Sequence, residues 1–357
     1  MTGKLIAHSS QLIGGRRKQK IYLFGKIFFF FYCLLPACCL LSVQLSGCAP
    51  TYPKENFKEH VIRLCKEEYK LDVKVETVGK TVAIYVPLAN LLDFAFTLTR
   101  DAGEKINNVI LSVSRVALSS DSDYEFYCVI AHDVKIPEIQ IVIIKSVDDV
   151  KRYMLGDISR GEYSKRMLID MKVSPQAQKE RSIREAFDRM RVDRKWQESV
   201  MQDFFRSDPT TLGDIGYWGG RFYIKDVSMP EFLSEEIASR VRFAVRDDKK
   251  LDESVILRSS KGSYVASGDS DRSIKIEISA ESKDTGSFTS EELSDKIFAS
   301  VLAVSYDVIH GYKFVDFDYL TITNLSDGRS SKVTKEDLES YKPKKTKIED
   351  VMVFDTF

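Results

Sequence analysis

Apolar residues recur along this chain at two spacings, and the spacings divide it into helices and strands. Phe57, Val61, Leu64 and Cys65 share one face of a helix predicted over 54–70. Asp72 to Val78 and Thr81 to Pro87 alternate around Gly79-Lys80, the pattern of a hairpin. Ile106, Val109, Ile110, Val113, Val116 and Ala117 form one stripe and predict a helix over 103–119. Tyr124 to Ala131 and Ile139 to Lys145 read as strands joined around Pro137, and Val147 to Leu155 as a short helix.

The second half runs through the same order. Leu233, Ile237, Val241 and Val245 stripe a helix from Glu231 to Val245. Strands follow near Ser254 to Leu257 and at Ile274 to Ala280, then a helix from Glu291 to Ile309. Asp316 to Asn324 and Arg329 to Val333 read as strands, and Lys335 to Tyr341 as a short helix. An offset of 191 lays Ile110, Val113 and Ser114 on Val301, Val304 and Ser305, and Phe126 on Phe317. With the next hairpin three residues shorter, Asp149, Val150 and Tyr153 fall on Asp337, Leu338 and Tyr341. Identities are few, and chance is the alternative to an internal duplication. The expected fold is α+β: two similar α-β-β-α-β-β-α halves with helices packed on antiparallel sheets, joined by a long charged helix. Loosely linked halves would unfold separately, so truncating Phe126 or Phe317 would unhinge mainly its own half.

Between the halves the character changes. Glu162 to Val173 reads as a strand, and Gln176 to about Phe205 as a charged helix with a narrow stripe of Ile183, Phe187, Met190, Trp196, Val200 and Phe204. Pro209 to Gly220 is a glycine-rich loop around Tyr217 and Trp218, aromatics that more often cap a core edge, with a contact loop as the other reading. The tail is basic at Lys344, Lys345 and Lys347, then apolar from Val351 to Phe354.

The N-terminus has its own pattern. A basic stretch through Lys26 precedes an uncharged apolar run, Ile27 to Leu45, and then Leu45-Ser46-Gly47-Cys48. A positive start, an apolar run and a small-residue cleavage site make a secretory signal. Leu45, Ser46, Gly47 and Cys48 together resemble the lipobox of bacterial lipoprotein precursors, in a resemblance that covers the signal and the box alone. It implies diacylation of the Cys48 thiol and cleavage before it. It also implies a protein held on the cell envelope by fatty acid, facing the periplasm or exterior, since two acyl chains anchor stably where one does not. Ala49 is not the aspartate that such proteins use for inner-membrane retention, so the outer membrane is favoured where there are two. The other possibility is an uncleaved single span through residues 27–45, long enough for a bilayer. The resulting divisions are a signal at 1–47, a tether at 48–53, a first half at 54–173, a connector at 174–228 and a second half at 229–357.

Charge narrows the partners. The chain is neutral overall, with 53 basic and 53 acidic residues, but residues 1–47 hold six basic side chains and no acid. Removing those six leaves 47 basic against 53 acidic residues, about −6 for the mature part, which disfavours nucleic acid. After cleavage only Cys65 and Cys128 remain as thiols, read as two buried apolar residues, with a disulfide between them as the alternative.

A search for chemistry finds little. The metal, nucleophile-elbow, P-loop and dinucleotide motifs are absent, so neither cofactor nor metal is expected. His132-Asp133 is the one pair placed to orient an imidazole, and reads better as a strand end. Asp121, Asp123 and Glu125 lack the spacing of a calcium loop, and Arg240, Arg242 and Arg246 read as a solvated helix face. The expectation is a non-enzymatic lipoprotein that binds or scaffolds an envelope partner. A periplasmic hydrolase with a dispersed site, or a subunit of an envelope transport or assembly complex, are the alternatives.

Overall fold

The computed structural model describes residues 52–93, 97–136, 139–173, 187, 189–197, 211–268, 271–283, 289–343 and 351–354. The signal, the lipobox at Leu45 to Cys48 and nearly all of the expected charged helix lie outside the described residues. Among those residues no helix is long and apolar enough to cross a membrane.

Helix α1 (Phe57–Tyr69) buries Phe57, Val61, Leu64 and Cys65, and ends where Lys70 takes a left-handed backbone. Strands β1 (Lys74–Val78) and β2 (Thr81–Leu88) form the expected hairpin. Its Gly79 sits against Asp226, whose carboxylate accepts from Lys80 N–H at 2.8 Å. Helix α2 (Arg100–Leu118) starts at Thr99, whose hydroxyl accepts from Ala102 N–H at 3.3 Å. Then come β3 (Phe126–Asp133), β4 (Ile139–Ser146), α3 (Val147–Met154), α4 (Arg160–Lys165) and β5 (Leu168–Val173). The first sheet has the order β1-β2-β3-β4-β5.

A two-stranded ribbon, β6 (Gly216–Trp218) and β7 (Arg221–Tyr223), leads into α5 (Met229–Asp247) and the short α6 (Lys249–Ser254). Strands β8 (Val255–Ala266) and β9 (Arg272–Ser282) precede α7 (Ser290–Tyr312). In α7 a reciprocal cap forms: Thr289 accepts from Glu292 N–H and Glu292 accepts from Thr289 N–H, at 3.2 and 3.0 Å. Strands β10 (Tyr319–Asn324) and β11 (Ser330–Thr334), helix α8 (Lys335–Ser340) and β12 (Val353–Phe354) complete a second sheet ordered β12-β11-β10-β9-β8.

The fold is mixed α+β with mostly antiparallel sheets, but each large sheet contains one parallel pair. These are β2 with β3 and β9 with β10. In both cases a helix carries the chain back to the starting end of the sheet, which only a parallel return permits. The strand expected from Glu162 to Val173 is a helix first, α4, because Ser159 caps Glu162 N–H, and a strand only from Leu168. Val113 is buried whereas Val304 is half-buried, and Phe126 opens β3 whereas Phe317 precedes β10.

The layers explain the burial. One face of the first sheet packs on α1 and α2 through Val82, Ile84, Val86, Tyr127 and Val129. The opposite face, carrying Ala83, Phe126, Cys128, Ile130 and Val142, joins a core shared with α5, α7 and the second sheet. The Phe126 and Phe232 rings meet across it at 5.2 Å. The two halves are therefore not separate bodies with private cores, as a loose link would allow. Cys65 and Cys128 are free, buried, and on opposite sides of the first sheet, which keeps the thiols apart.

The second sheet is buried on one face only, through Ile274, Ile276, Ile278, Leu320, Ile322 and Val333. Helix α5 lies so close to it that a Cβ on Gly262 would stand 1.9 Å from the backbone oxygen of Ser234. Backbone cannot yield as a side chain can. Gly262→Ala should cost about 2 kcal/mol or more in urea unfolding, as an overpacked contact does. Unchanged stability would contradict that approach.

Candidate functional site

The aromatics of the glycine-rich loop pack inside the fold. Tyr217 and Trp218 are buried, not displayed. The Tyr217 ring stacks on Tyr85 with centroids 3.8 Å apart. Its N–H donates to Gln140 Oε1 at 3.0 Å, and Gln140 Nε2 donates back to its carbonyl. Its hydroxyl accepts from Lys74 Nζ at 2.6 Å and donates to Gly220 O at 2.8 Å. The glycines serve a tight turn at Gly219-Gly220, both with positive φ, that folds the aromatics back onto the first sheet.

His132 and Asp133 do not form a dyad. Asp133 turns into the chain reversal after β3, accepting from Leu91 N–H at 2.7 Å and Lys135 N–H at 2.8 Å. The His132 Nδ1 instead faces the Tyr85 hydroxyl at 2.9 Å. Asp121 accepts from Lys54 N–H and Glu125 pairs with Lys80, and the described residues hold no group of three or more potential metal ligands.

What sequence reasoning missed is a buried ionic seam where α3 and α4 meet α5 and α7. Arg166 caps α4 with only 5% of its side chain exposed. Its Nη1 donates to Asp149 Oδ1 at 3.1 Å, its Nε to Glu162 Oε1 at 2.7 Å and its Nη2 to the Gly311 carbonyl at 3.2 Å. The guanidinium also lies 4.4 Å over the Tyr312 ring, and Tyr312 donates to Asp149 Oδ2 at 2.6 Å. Arg152 reaches the same Gly311 carbonyl at 3.3 Å, so two cations sit at the C-terminal, negative end of α7. A Cβ at Gly311 would intrude on Arg166 Nη2 at 2.8 Å, which is why a glycine fits there.

The seam continues along α5. Arg240, read from sequence as solvated, is mostly buried, pairing with Glu236 and reaching Glu162 at 3.5 Å. Arg242 is exposed and donates to Ser260 O at 2.7 Å, and Arg246 is exposed too, so two of the three lie on a solvated face as expected. Lys145, 1% exposed, donates to Tyr163 O at 3.0 Å and lies over the Tyr163 ring.

Burial sets the protonation here. It pushes the Lys145 ammonium down to about 7, although Asp149 and Glu236 favour the charge. It pushes the Glu236 carboxyl up to about 7, although Arg240 pulls the other way. Asp149 is raised by burial against its bonds from Tyr312 and Arg166, and Tyr312 is raised by burial and by the two carboxylates beside it. Three acids (Asp149, Glu162, Glu236) face four bases (Lys145, Arg152, Arg166, Arg240), so most of the charge is matched internally. Such perturbed groups mark reactive sites as well as structural networks. Lys145 and Asp149 are enclosed by protein, which favours a structural role for that end.

The other end opens. A cavity of about 480 Å³ is walled by Met167, Ile169, Phe243 and Val304, with Glu236 and Arg240 in its lining. A second, more polar cavity of about 550 Å³ shares Ile169 and Ser239 with it and runs between β5 and β8 past Glu235, Arg242 and Lys261. No protein-family model, curated protein or solved structure matches the chain.

The folded Glu236 carboxyl titrates near 7 against an ordinary 4.5. Its protonated form therefore stabilises the fold below about pH 4.5, and that contribution is lost as pH rises through 7. Thermal unfolding of wild type and Glu236→Gln at pH 5 and pH 7.5 should show the wild type losing ground to the variant at the higher pH. A gap independent of pH would contradict the assignment.

Proposed function

We propose that this chain is an exported lipoprotein, held on the cell envelope through lipid on Cys48, whose body binds or scaffolds another molecule. The observation that carries the reading is the order basic segment, apolar run, Leu45-Ser46-Gly47-Cys48 just ahead of the folded body. Tyr52 is already part of that body, bridging to Ser120. A signal cut before Cys48 would leave a short tether, residues 48–51, ahead of Tyr52. The outer membrane is the favoured location where a cell has two, and an envelope protein rather than nucleic acid the favoured partner. The paired cavities along α5 support binding, as does a seam whose charges are spent on one another.

We further propose that the two halves descend from one duplicated unit. Support comes from pairing sense and register. In each half a hairpin is followed by a helix, a parallel return and two antiparallel additions. Val82 stands beside Tyr127 as Ile274 stands beside Leu320, and Ile84 beside Val129 as Ile276 beside Ile322. That register aligns Phe126 with Tyr319. It also moves the helix match to an offset of 192, pairing Ile106, Val109 and Val113 with Phe298, Val301 and Ser305, all buried.

Replacing the acceptor thiol tests the anchoring. Cys48→Ala should abolish incorporation of labelled fatty acid and leave an unprocessed precursor, because no other atom accepts the lipid. Equal labelling of variant and wild type would sink the proposal.

A further inference from the structure

Among the described residues the two most exposed large apolar side chains are neighbours, Met154 and Leu155, at 69% and 78% exposure. They end α3, and the turn that carries them is fixed. Gly156, with a φ of +80°, lets Asp157 N–H donate to Arg152 O at 2.8 Å and Gly156 N–H to Tyr153 O at 3.1 Å. The Tyr153 ring stacks on Tyr163 with centroids 4.5 Å apart, and Arg152 is held at the Gly311 carbonyl. Ile158, just beyond, is buried. The turn tucks one apolar residue in and holds two out.

The body begins at this end of the first sheet. Tyr52 N–H donates to Ser119 O at 3.1 Å, and the Phe57 and Tyr124 rings meet at 4.7 Å. Val147, the first residue of α3, donates its N–H to Glu125 O at 2.8 Å. Eight helical residues advance about 12 Å, so the exposed pair stands close to the segment that receives Tyr52. Val134, past the far end of β3, is about 25 Å away along the strand. Four residues, 48–51, precede Tyr52, and from Cys48 they reach about 14 Å at full extension.

We propose that Met154 and Leu155 insert into the bilayer that holds the lipid of Cys48, so that the body rests on the membrane by this turn. The inference rests on the lipoprotein reading, and the tether names the occupant. A reach of about 14 Å keeps this end of the body near the headgroups, with an exposed apolar pair beside it. Tyr153 is the residue type that settles at headgroup level. Charge does not drive the contact, because exposed Lys151 and Arg160 around the turn are offset by exposed Asp148 and Asp157. The contact is with acyl chains rather than with anionic headgroups. Two side chains add little to an anchor that is already stable, so their effect is to orient the body, not to hold it.

The chain matured in cells, carrying its fatty acid, is reconstituted in phosphatidylcholine vesicles with and without phosphatidylglycerol. The thiols left after lipidation, Cys65 and Cys128, are buried, so one added cysteine takes a polarity-sensitive fluorophore. Leu155→Cys and, separately, Met154→Cys report the turn, and Val134→Cys, an exposed apolar position at the opposite end, is the control. At 155 and 154 the emission should shift to the blue and lose more than half its intensity to a nitroxide on the lipid acyl chains, equally in both vesicles. At 134 neither should happen. Unquenched emission at 155 and 154, or equal quenching at 134, would overturn the proposal. Quenching that needs phosphatidylglycerol would overturn it too, as would a label shielded from aqueous iodide yet untouched by the lipid nitroxide, which marks a protein partner. Any of these with fatty acid present on the chain leaves the anchored lipoprotein standing. A chain without fatty acid overturns both.

Discussion

Burial of the first sheet on both faces is the constraint from which the rest of the structure follows. Strands β2, β3 and β4 have almost no exposed position, with helices α1 and α2 on one side and α5 on the other. A polar side chain on such a strand has no water to turn to, and must find its partner in protein. Lys145 at the end of β4 and Asp149 one turn into α3 are in that position, and the groups that satisfy them come from α4 and α7. The seam is thus a consequence of two-sided burial, not an ornament on it. A matched network of this kind adds little net stability against an apolar replacement, yet losing one member strands the others. Its effect is to fix how the halves dock.

Docking through α5 shapes the surface that remains. The helix must lie flat on the second sheet, which Gly262 permits, and also present Phe232 to the first. A helix serving two sheets cannot fill the space along both of its flanks. The cavities on either side of Ser239 are what is left over. Glu236 and Arg240 are at once the end of the seam and part of the lining of the more apolar cavity.

Much of this was legible in the sequence, and the failures have identifiable causes. The helices of both halves and the β1–β2 hairpin follow from spacing alone, because their apolar stripes are regular. Burial of both faces was also signalled: Thr81-Val82-Ala83-Ile84-Tyr85-Val86 and Ile141-Val142-Ile143-Ile144 are runs without alternation, the mark of a strand with no wet side. Reading the first run as alternating, and not weighing the second as doubly buried, led to helices on a single face and to halves with private cores. Arg240 escaped because a charged side chain opposite a stripe looks solvated until a second body covers it, and Arg166 because its segment was read as a strand. Tyr217 and Trp218 look like a contact loop in sequence, since nothing local announces that Tyr85 and Gln140 will receive them.

The central claim is that both sheets belong to one cooperative unit through the shared core and the seam. Hydrogen exchange on the Phe126→Ala variant tests this most directly. The lost ring belongs to β3, but its contact lies in α5. The account predicts that amides of β3 and of β10 lose protection together, by the same free energy within error, as one global opening. Loss confined to the first sheet, with β10 still protected as in wild type, would contradict it.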